Sequence, residues 1–176
     1  VSSQNIDRLV SAYKACRSAK TVFVIDVYTA YVLDRVRKVS ESIPRFDWKG
    51  IRVFFDPGHA KTLATKISTQ LLYHYNSKKI KSLEMNRSNE KYLVILRDKP
   101  FYRRFVKDLA GARGAKVIYS MWHGYLDEKF RKFCAEQGME IEEVHAGGHA
   151  SVEDLQAFAK ALNPRMLIPI HTFSPE

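Results

Sequence analysis

Short apolar runs of strand length alternate with helical patterns along this chain, and this alternation limits the fold more than any other feature. The runs occupy residues 21–25, 51–55, 92–96 and 115–119. Each is too short for a buried helix, whereas the segments between them place apolar residues at helical spacing. Because helices that connect parallel strands cover the faces of the sheet, the alternation predicts an α/β fold with a mainly parallel sheet flanked by helices.

Helical spacing of apolar residues predicts five helices in the first three quarters of the chain. They run from Ile6 to Cys16, Tyr28 to Val39, Thr62 to Tyr75, Pro100 to Leu109 and Leu126 to Gln137. The proline at the start and Gly138 after the end of the last two patterns are typical helix boundaries. Asp56-Pro57-Gly58 is interpreted as the turn that ends the second strand, with His59 as a turn residue. Residues 76–90 are basic and polar, and are predicted to be the least regular part.

The closing segment repeats the same order around a glycine-rich loop. Residues 139–144 and 166–170 have strand length, and Ser151-x-x-Asp154 is a capping box that predicts a helix beginning at Ser151. His149 lies in the loop before this helix, and His171 follows the second strand. Since functional groups of parallel sheets lie at the carboxyl ends of the strands, both histidines are predicted to emerge at the same edge.

The strings Val-His-Ala-Gly-Gly-His-Ala-Ser at 144–151 and Leu-Asn-Pro-Arg-Met-Leu-Ile-Pro-Ile-His at 162–171 resemble a known family. They are similar to the closing segment of metallo-β-lactamase-fold nucleases that carry a β-CASP domain, the group that includes ribonuclease J. The resemblance implies a β-CASP-like α/β domain at 1–138 and a returning β-α-β piece of the metallo-β-lactamase fold at 139–176. The family's His-x-His-x-Asp-His metal motif does not occur in this sequence. The resemblance therefore implies that a metal-binding half precedes this chain and that this segment alone is inactive.

The resemblance also assigns roles to the two histidines. His149 would protonate the leaving oxygen, for which an imidazole is suited because its ordinary pKa lies near neutrality. His171 would bind one of two zinc ions held by the parent protein. One histidine cannot hold zinc, so this chain is expected to bind none tightly. Gly147 and Gly148 leave the backbone open to a phosphate, and Ser151 opens a helix whose amide end favours an anion.

The charge of the chain is unevenly divided and favours a polyanionic partner. Residues 1–138 carry 27 lysines and arginines against 13 aspartates and glutamates, a net charge of +14, whereas residues 139–176 have a net charge of −4. Such a division suits a nucleic acid that is held by the basic part and cut beside the acidic part. Four residues are predicted to contact it through phosphate: Arg103, Arg104, Lys107 and Ser120.

Several residues allow two interpretations. Asp26 ends the first strand, where a carboxylate is either functional or a cap for the following helix. Trp122 follows the fourth strand and would either stack a base or pack in the core, and core packing is the preferred interpretation. Cys16 and Cys134 are interpreted as buried small hydrophobic residues. With no signal peptide or apolar run of membrane length in the sequence, we expect a reducing, cytoplasmic setting and no membrane contact.

Three hypotheses follow for the function. The first is a zinc-dependent hydrolase that cleaves phosphodiesters in nucleic acid, RNA in first place, of which this chain is the β-CASP-containing part. The second is a nucleic-acid-binding module without chemistry of its own. The third is a relative that hydrolyses another phosphate ester or a small metabolite.

Overall fold

The chain forms an α/β fold in which small parallel sheets are flanked by helices. The computed structural model describes residues 3–144 and 150–168. The helices are Ile6–Ser18 (α1), Val27–Val36 (α2), Pro57–Lys66 (α3), Thr69–Asn76 (α4), Ser82–Arg87 (α5), Pro100–Lys107 (α6), Glu128–Glu136 (α7) and Val152–Leu162 (α8). The strands are Val22–Asp26 (β1), Ile51–Phe54 (β2), Tyr92–Val94 (β3), Lys116–Tyr119 (β4) and Glu140–Glu143 (β5). The predicted α/β class and the parallel pairing of the strands are confirmed.

The first sheet has the strand order β2-β1-β3, with β1 in the centre and both pairings parallel. All five residues of β1 are buried. Phe23 and Ile25 belong to a core with α1 and α2, whereas Val22 and Val24 belong to a second core that includes residues of α6. The continuous apolar run at 21–25 is explained by this burial on both faces, which is typical of a central parallel strand.

The second sheet contains β4 and β5, connected through α7. One face packs on α7, where Val117 and Ile141 contact a core that includes Phe133 and Cys134. The other face is exposed and carries an ion pair of 2.8 Å between Lys116 Nζ and Glu142 Oε2. The parallel strands thus form two small sheets, where the sequence predicted one. The domain boundary at 138/139 stays a prediction.

The region between β2 and β3 differs from the sequence-based prediction. The single helix predicted from Thr62 to Tyr75 is wrong, because α3 ends at Lys66 and α4 begins at Thr69. Ser68 separates them, and its Oγ accepts a hydrogen bond of 3.1 Å from the backbone N of Gln70. His59 is not a turn residue, since α3 already begins at Pro57. The segment predicted to be least regular contains α5.

The helix predicted after Ser151 is confirmed as α8. Ser151 caps it by accepting a hydrogen bond of 3.1 Å from the backbone N of Asp154, and Asn163 ends it with a left-handed φ of 42°. Residues 166–168 form no strand and are exposed, which contradicts the start of the predicted strand at 166–170; residues 169–170 lie outside the described part. The apolar side chains of α8 are also exposed: Val152, Leu155, Phe158 and Leu162.

The prediction that both cysteines are buried is confirmed, since Cys16 and Cys134 are 3% and 0% exposed. Burial raises the pKa of the Cys16 thiol to about 11 and also raises the pKa of Cys134. At pH 8 only about one Cys16 in a thousand would be the reactive thiolate. We therefore expect a thiol reagent to label the native protein very slowly and the urea-unfolded protein at once. Fast labelling of both cysteines in the native protein would contradict this burial.

Candidate nucleic-acid interface

The carboxyl end of the first sheet collects polar side chains from distant parts of the chain. The chain places β2 on one side of β1 and β3 on the other, so the strand order reverses at β1. Such a switch point opens the crevice where parallel α/β sheets commonly bind ligands. Asp26 is the last residue of β1, and Arg97 follows β3 by three residues. The structure brings these two residues together.

Asp26 is fully buried, and all of its carboxylate contacts are within the protein. Its Oδ2 accepts hydrogen bonds from Arg97 Nε at 3.1 Å, from Arg97 Nη2 at 2.9 Å and from the Tyr102 hydroxyl at 3.2 Å. Its Oδ1 accepts a hydrogen bond of 2.7 Å from the backbone N of Thr29. The capping role considered from the sequence is therefore confirmed. The ion pair with Arg97 is an additional role that the sequence did not indicate.

The charges of this cluster stabilise each other. Burial alone would lower the pKa of Arg97, but the charge of Asp26 and the hydrogen bond to it outweigh burial and raise that pKa. Burial, followed by the negative charge of Asp26, raises the pKa of the Tyr102 phenol, which therefore stays a donor. Arg97 Nη2 also donates to Ser3 Oγ, which shares a hydrogen bond of 2.7 Å with Thr29 Oγ1. The cluster fixes the loop after β3 to β1 and to the N-terminal segment.

His59 lies beside this cluster, and its position was missed in the sequence. Its Nδ1 lies 3.5 Å from Asp56 Oδ1 and 4.0 Å from Asp26 Oδ1, and it makes no hydrogen bond within the described residues. Asp56 caps α3 by accepting a hydrogen bond of 2.7 Å from the backbone N of His59. The dipeptide Asp56-Pro57 is a typical helix start, with a cap followed by proline at the first position. This signal was sufficient to place His59 in a helix.

A basic groove runs along α6, directly after the loop that carries Arg97. It is lined by Asp98, Lys99, Pro100, Arg103, Arg104 and Lys107. The three cations predicted from the sequence, Arg103, Arg104 and Lys107, thus line one surface. They point outward because the opposite side of α6 buries Tyr102, Phe105 and Val106 in the core. The amphipathic pattern of α6 therefore produces the charged surface as a consequence of its packing.

The three predicted cations of the groove are not equivalent. Arg103 donates two hydrogen bonds to Asp98, from Nε at 2.6 Å and from Nη2 at 2.9 Å. Its guanidinium also lies 5.2 Å from the ring centre of Phe133. Arg104 and Lys107 are exposed. These two are therefore the residues best placed to contact phosphate, while Arg103 is engaged in holding Asp98 and α7.

The two predicted serines are hydrogen bonded within the protein. Ser120 is nearly buried, and its carbonyl and hydroxyl oxygens accept hydrogen bonds from Arg8 Nη1, the hydroxyl at 3.3 Å. Ser151 caps α8, and its hydroxyl also donates to Asp154 Oδ2 at 3.0 Å. Glu153 and Asp154 add negative charge to the first turn of α8. A phosphate at Ser151 would have to approach these two carboxylates, and the role of both serines stays a prediction.

The remaining predicted site residues lie outside the described residues. They are Gly147, Gly148, His149 and His171. Within residues 3–144 and 150–168, no three histidine, cysteine, aspartate or glutamate side chains lie close enough together to hold a metal ion. None of the helices in the described part is long and apolar enough to cross a membrane.

Comparison with known proteins adds no family. Neither the protein-family models, nor the curated proteins, nor the solved structures contain a match to this chain. The resemblance at 144–151 and 162–171 therefore stays a hypothesis.

The preferred interpretation of Trp122 as a core residue is wrong. Trp122 is 42% exposed, and it lies in a loop after β4 with Met121 and Tyr125, which are also exposed. Its ring centre is 5.3 Å from that of Tyr125, with the two rings nearly perpendicular. The short 3-10 turn His123–Tyr125 shapes this loop. An exposed aromatic cluster therefore stands at the carboxyl end of β4.

Proposed function

We propose that this chain is the nucleic-acid-holding part of a hydrolase that cleaves phosphodiester bonds, with RNA as the first candidate substrate. The observation that supports this proposal is the basic groove along α6. It presents Arg104 and Lys107 to solvent from a helix whose other side is fixed in the core. The net charge of +14 over residues 1–138 adds a long-range attraction for a polyanion. The metallo-β-lactamase-like chemistry of the parent rests on the resemblance.

The groove would act on phosphates through charge. A lysine or arginine that contacts a phosphate releases a condensed counterion, so binding weakens steeply as salt rises. Lys99, Arg104 and Lys107 supply such charges, and the Asp98–Arg103 pair holds the first turn of α6 against α7. Such contacts fix the position of the nucleic acid on the protein but do not distinguish one base sequence from another.

The described residues do not supply a zinc site. Two zinc ions would activate water if the parent carries the metal half that the resemblance implies. Under this proposal the role of His171 is that of a ligand in such a half, and the role of His149 is that of a proton donor. Both roles rest on the resemblance.

The salt dependence of RNA binding tests the groove. Replacing Arg104 and Lys107 together by alanine should weaken binding to a single-stranded RNA. The slope of log K against log salt, which is negative, should become less steep by about 1.4, because two phosphate contacts are lost. The slope is measured by fluorescence anisotropy of a labelled RNA at several salt concentrations. Arg103 is left unchanged, because its loss would free Asp98 and remove a contact to Phe133.

A matched pair on another helix controls for overall charge. Lys14 and Arg17 are exposed, lie three residues apart on α1 as Arg104 and Lys107 do on α6, and do not line the groove. Replacing them by alanine removes the same net charge and should change the slope much less. Equal slopes for the two double variants would show that the groove is not the contact surface. If the protein does not bind RNA at any of the salt concentrations, a small phosphate ester or metabolite would be favoured as the substrate.

A non-catalytic binding module is the second candidate function, and the cluster around Asp26 favours it. At the carboxyl end of the first sheet, the carboxylate of Asp26 is fully buried and accepts hydrogen bonds from Arg97, Tyr102 and Thr29. This carboxylate therefore has a structural role, since the hydrogen bonds it accepts come from the fold itself. Under this alternative the chain would bind RNA as proposed, and the parent would show no hydrolysis that depends on His149.

A further inference from the structure

We propose that the exposed loop after β4 is a base-stacking site, in which the indole of Trp122 receives an unpaired nucleobase of the strand held by the basic groove. This inference rests on the proposed function and deepens it, because it adds contact with bases to contact with phosphates. The ligand class is single-stranded nucleic acid. Aromatic side chains in such proteins stack on bases with little sequence preference, because every base has a π-face.

The indole is held in place by its own loop. A Cβ atom at Gly124 would lie 2.2 Å from Cζ3 of Trp122, 2.4 Å from Cη2 and 2.7 Å from Cε3. These three consecutive ring atoms are at similar distances, so a face of the indole lies on Gly124. Only glycine allows this close approach. Tyr125 meets the indole edge to face, with ring centres 5.3 Å apart and an interplanar angle of 83°.

The loop leaves much of this fixed ring in solvent. Trp122 is 42% exposed, although an indole is among the side chains that gain most from burial. Tyr125 is 69% exposed and Met121 is 42% exposed. The hydroxyl of Tyr119 donates a hydrogen bond of 3.5 Å to the carbonyl of Trp122, which connects the loop to β4. A rigid aromatic ring that remains exposed binds a flat partner with little loss of side-chain freedom.

The loop after β4 leads into α7, the helix that Arg103 of the basic groove contacts. Asp127 follows the loop and caps α7 by accepting a hydrogen bond of 2.7 Å from the backbone N of Phe130. Arg103 of the groove contacts the ring of Phe133 on the same helix. The pKa of Arg103 is raised by its hydrogen bond to Asp98 and, further, by the charges of Asp98 and Asp127. The base-stacking site and the groove are thus joined through Arg103 and α7.

Charge decides between a nucleic acid and a protein as the partner of the loop. An apolar protein surface would be favoured by an exposed aromatic cluster alone. Here the neighbouring groove presents Lys99, Arg104 and Lys107, and residues 1–138 have a net charge of +14. A single-stranded nucleic acid whose phosphates bind along the groove has unpaired bases that can stack on an aromatic ring. The loop after β4 supplies such a ring.

The test compares two chains that differ only in their bases. An oligonucleotide of about ten residues and an abasic chain of equal length and charge are bound to the native protein and to Trp122→Ala. We expect Trp122→Ala to weaken binding of the base-containing chain by about 10- to 100-fold and to leave both the abasic chain and the salt slope unchanged. Trp122→Phe should restore most of the affinity. RNA and DNA versions of the oligonucleotide distinguish the two sources of bases.

Gly124→Ala provides a second variant that keeps the indole but displaces it. It should weaken binding of the base-containing chain without affecting the abasic chain. Tyr73→Ala, which removes an exposed aromatic ring on α4, is the matched control and should change neither. Circular dichroism shows whether each variant is folded. Equal binding of both chains by the native protein, or equal losses on both chains in Trp122→Ala, would overturn the base-stacking site and leave the groove. Absence of binding to either chain would overturn the proposed function itself.

Discussion

Asp26→Asn should lower the free energy of unfolding by about 3–5 kcal/mol, because it leaves the guanidinium of Arg97 without its counter-charge in a largely buried site. Asparagine keeps the size of the side chain and an oxygen that can accept from the backbone N of Thr29. It removes the negative charge and also replaces the oxygen that accepts from Arg97 and Tyr102 by an amide nitrogen, which can only donate. The side chain of Arg97 is 20% exposed and that of Asp26 is fully buried. Urea unfolding followed by circular dichroism gives both the midpoint and the slope that the comparison needs.

An exposed pair provides the matched control for this substitution. Asp47 pairs with Arg45 at 2.9 Å, and both side chains are more than 40% exposed. Asp47→Asn should therefore lower the free energy of unfolding by less than about 1 kcal/mol. A combined Asp26→Asn and Arg97→Met variant should be more stable than Asp26→Asn alone, since it removes the uncompensated charge. Equal losses for Asp26→Asn and Asp47→Asn would mean that water reaches Arg97 and replaces the lost partner.

His149→Ala should lower turnover of RNA by about 10²–10⁴ in a protein that joins this chain to the metal-binding half implied by the resemblance. This is the loss expected when a general acid is removed. A substrate whose leaving oxygen has a low pKa needs little protonation, so the loss should be much smaller on a nitrophenyl phosphodiester. The comparison of the two substrates separates proton donation from binding, because both contain the same phosphodiester group.

His171→Ala is the contrasting variant. Under the proposed function it should lower the metal content of the protein, whereas His149→Ala should leave the metal content unchanged. Activity of His171→Ala should recover in part when zinc or manganese is raised, and that of His149→Ala should not. Equal losses of His149→Ala on RNA and on the nitrophenyl substrate would remove the proton-donor role and leave His149 as a phosphate-positioning or structural residue.

The sequence predicted correctly those elements whose position depends on neighbouring residues. The buried run at 21–25 became β1, and the capping box at Ser151 became the start of α8. The single helix predicted at 62–75 is wrong because apolar spacing continues through Ile67 into the residues of α4, whereas Ser68 caps a new helix there. The strand predicted at 166–170 rested on apolar content alone, and residues 166–168 do not form one.

The candidate interface was predictable only in part. Helical spacing was sufficient to place Arg103, Arg104 and Lys107 on one surface. It could not show that Arg103 is already bound by Asp98, which precedes the helix. The pair between Asp26 and Arg97 joins residues 71 positions apart, and no spacing rule relates them. The exposure of Trp122 depends on how its indole lies on Gly124 within the folded loop, which helical or strand spacing does not predict.

The central position of β1 has a consequence for how the protein folds during synthesis. Val22 to Asp26 leave the ribosome before their partner on one edge, β3, which follows roughly 70 residues later. At ordinary rates of translation this delay lasts roughly 4–14 s. During that time the most apolar strand of the first sheet has an unpaired edge, which is a template for pairing with another nascent chain. We expect chains that end before Tyr92 to aggregate or to be bound by chaperones, and the first sheet to form only when β3 arrives.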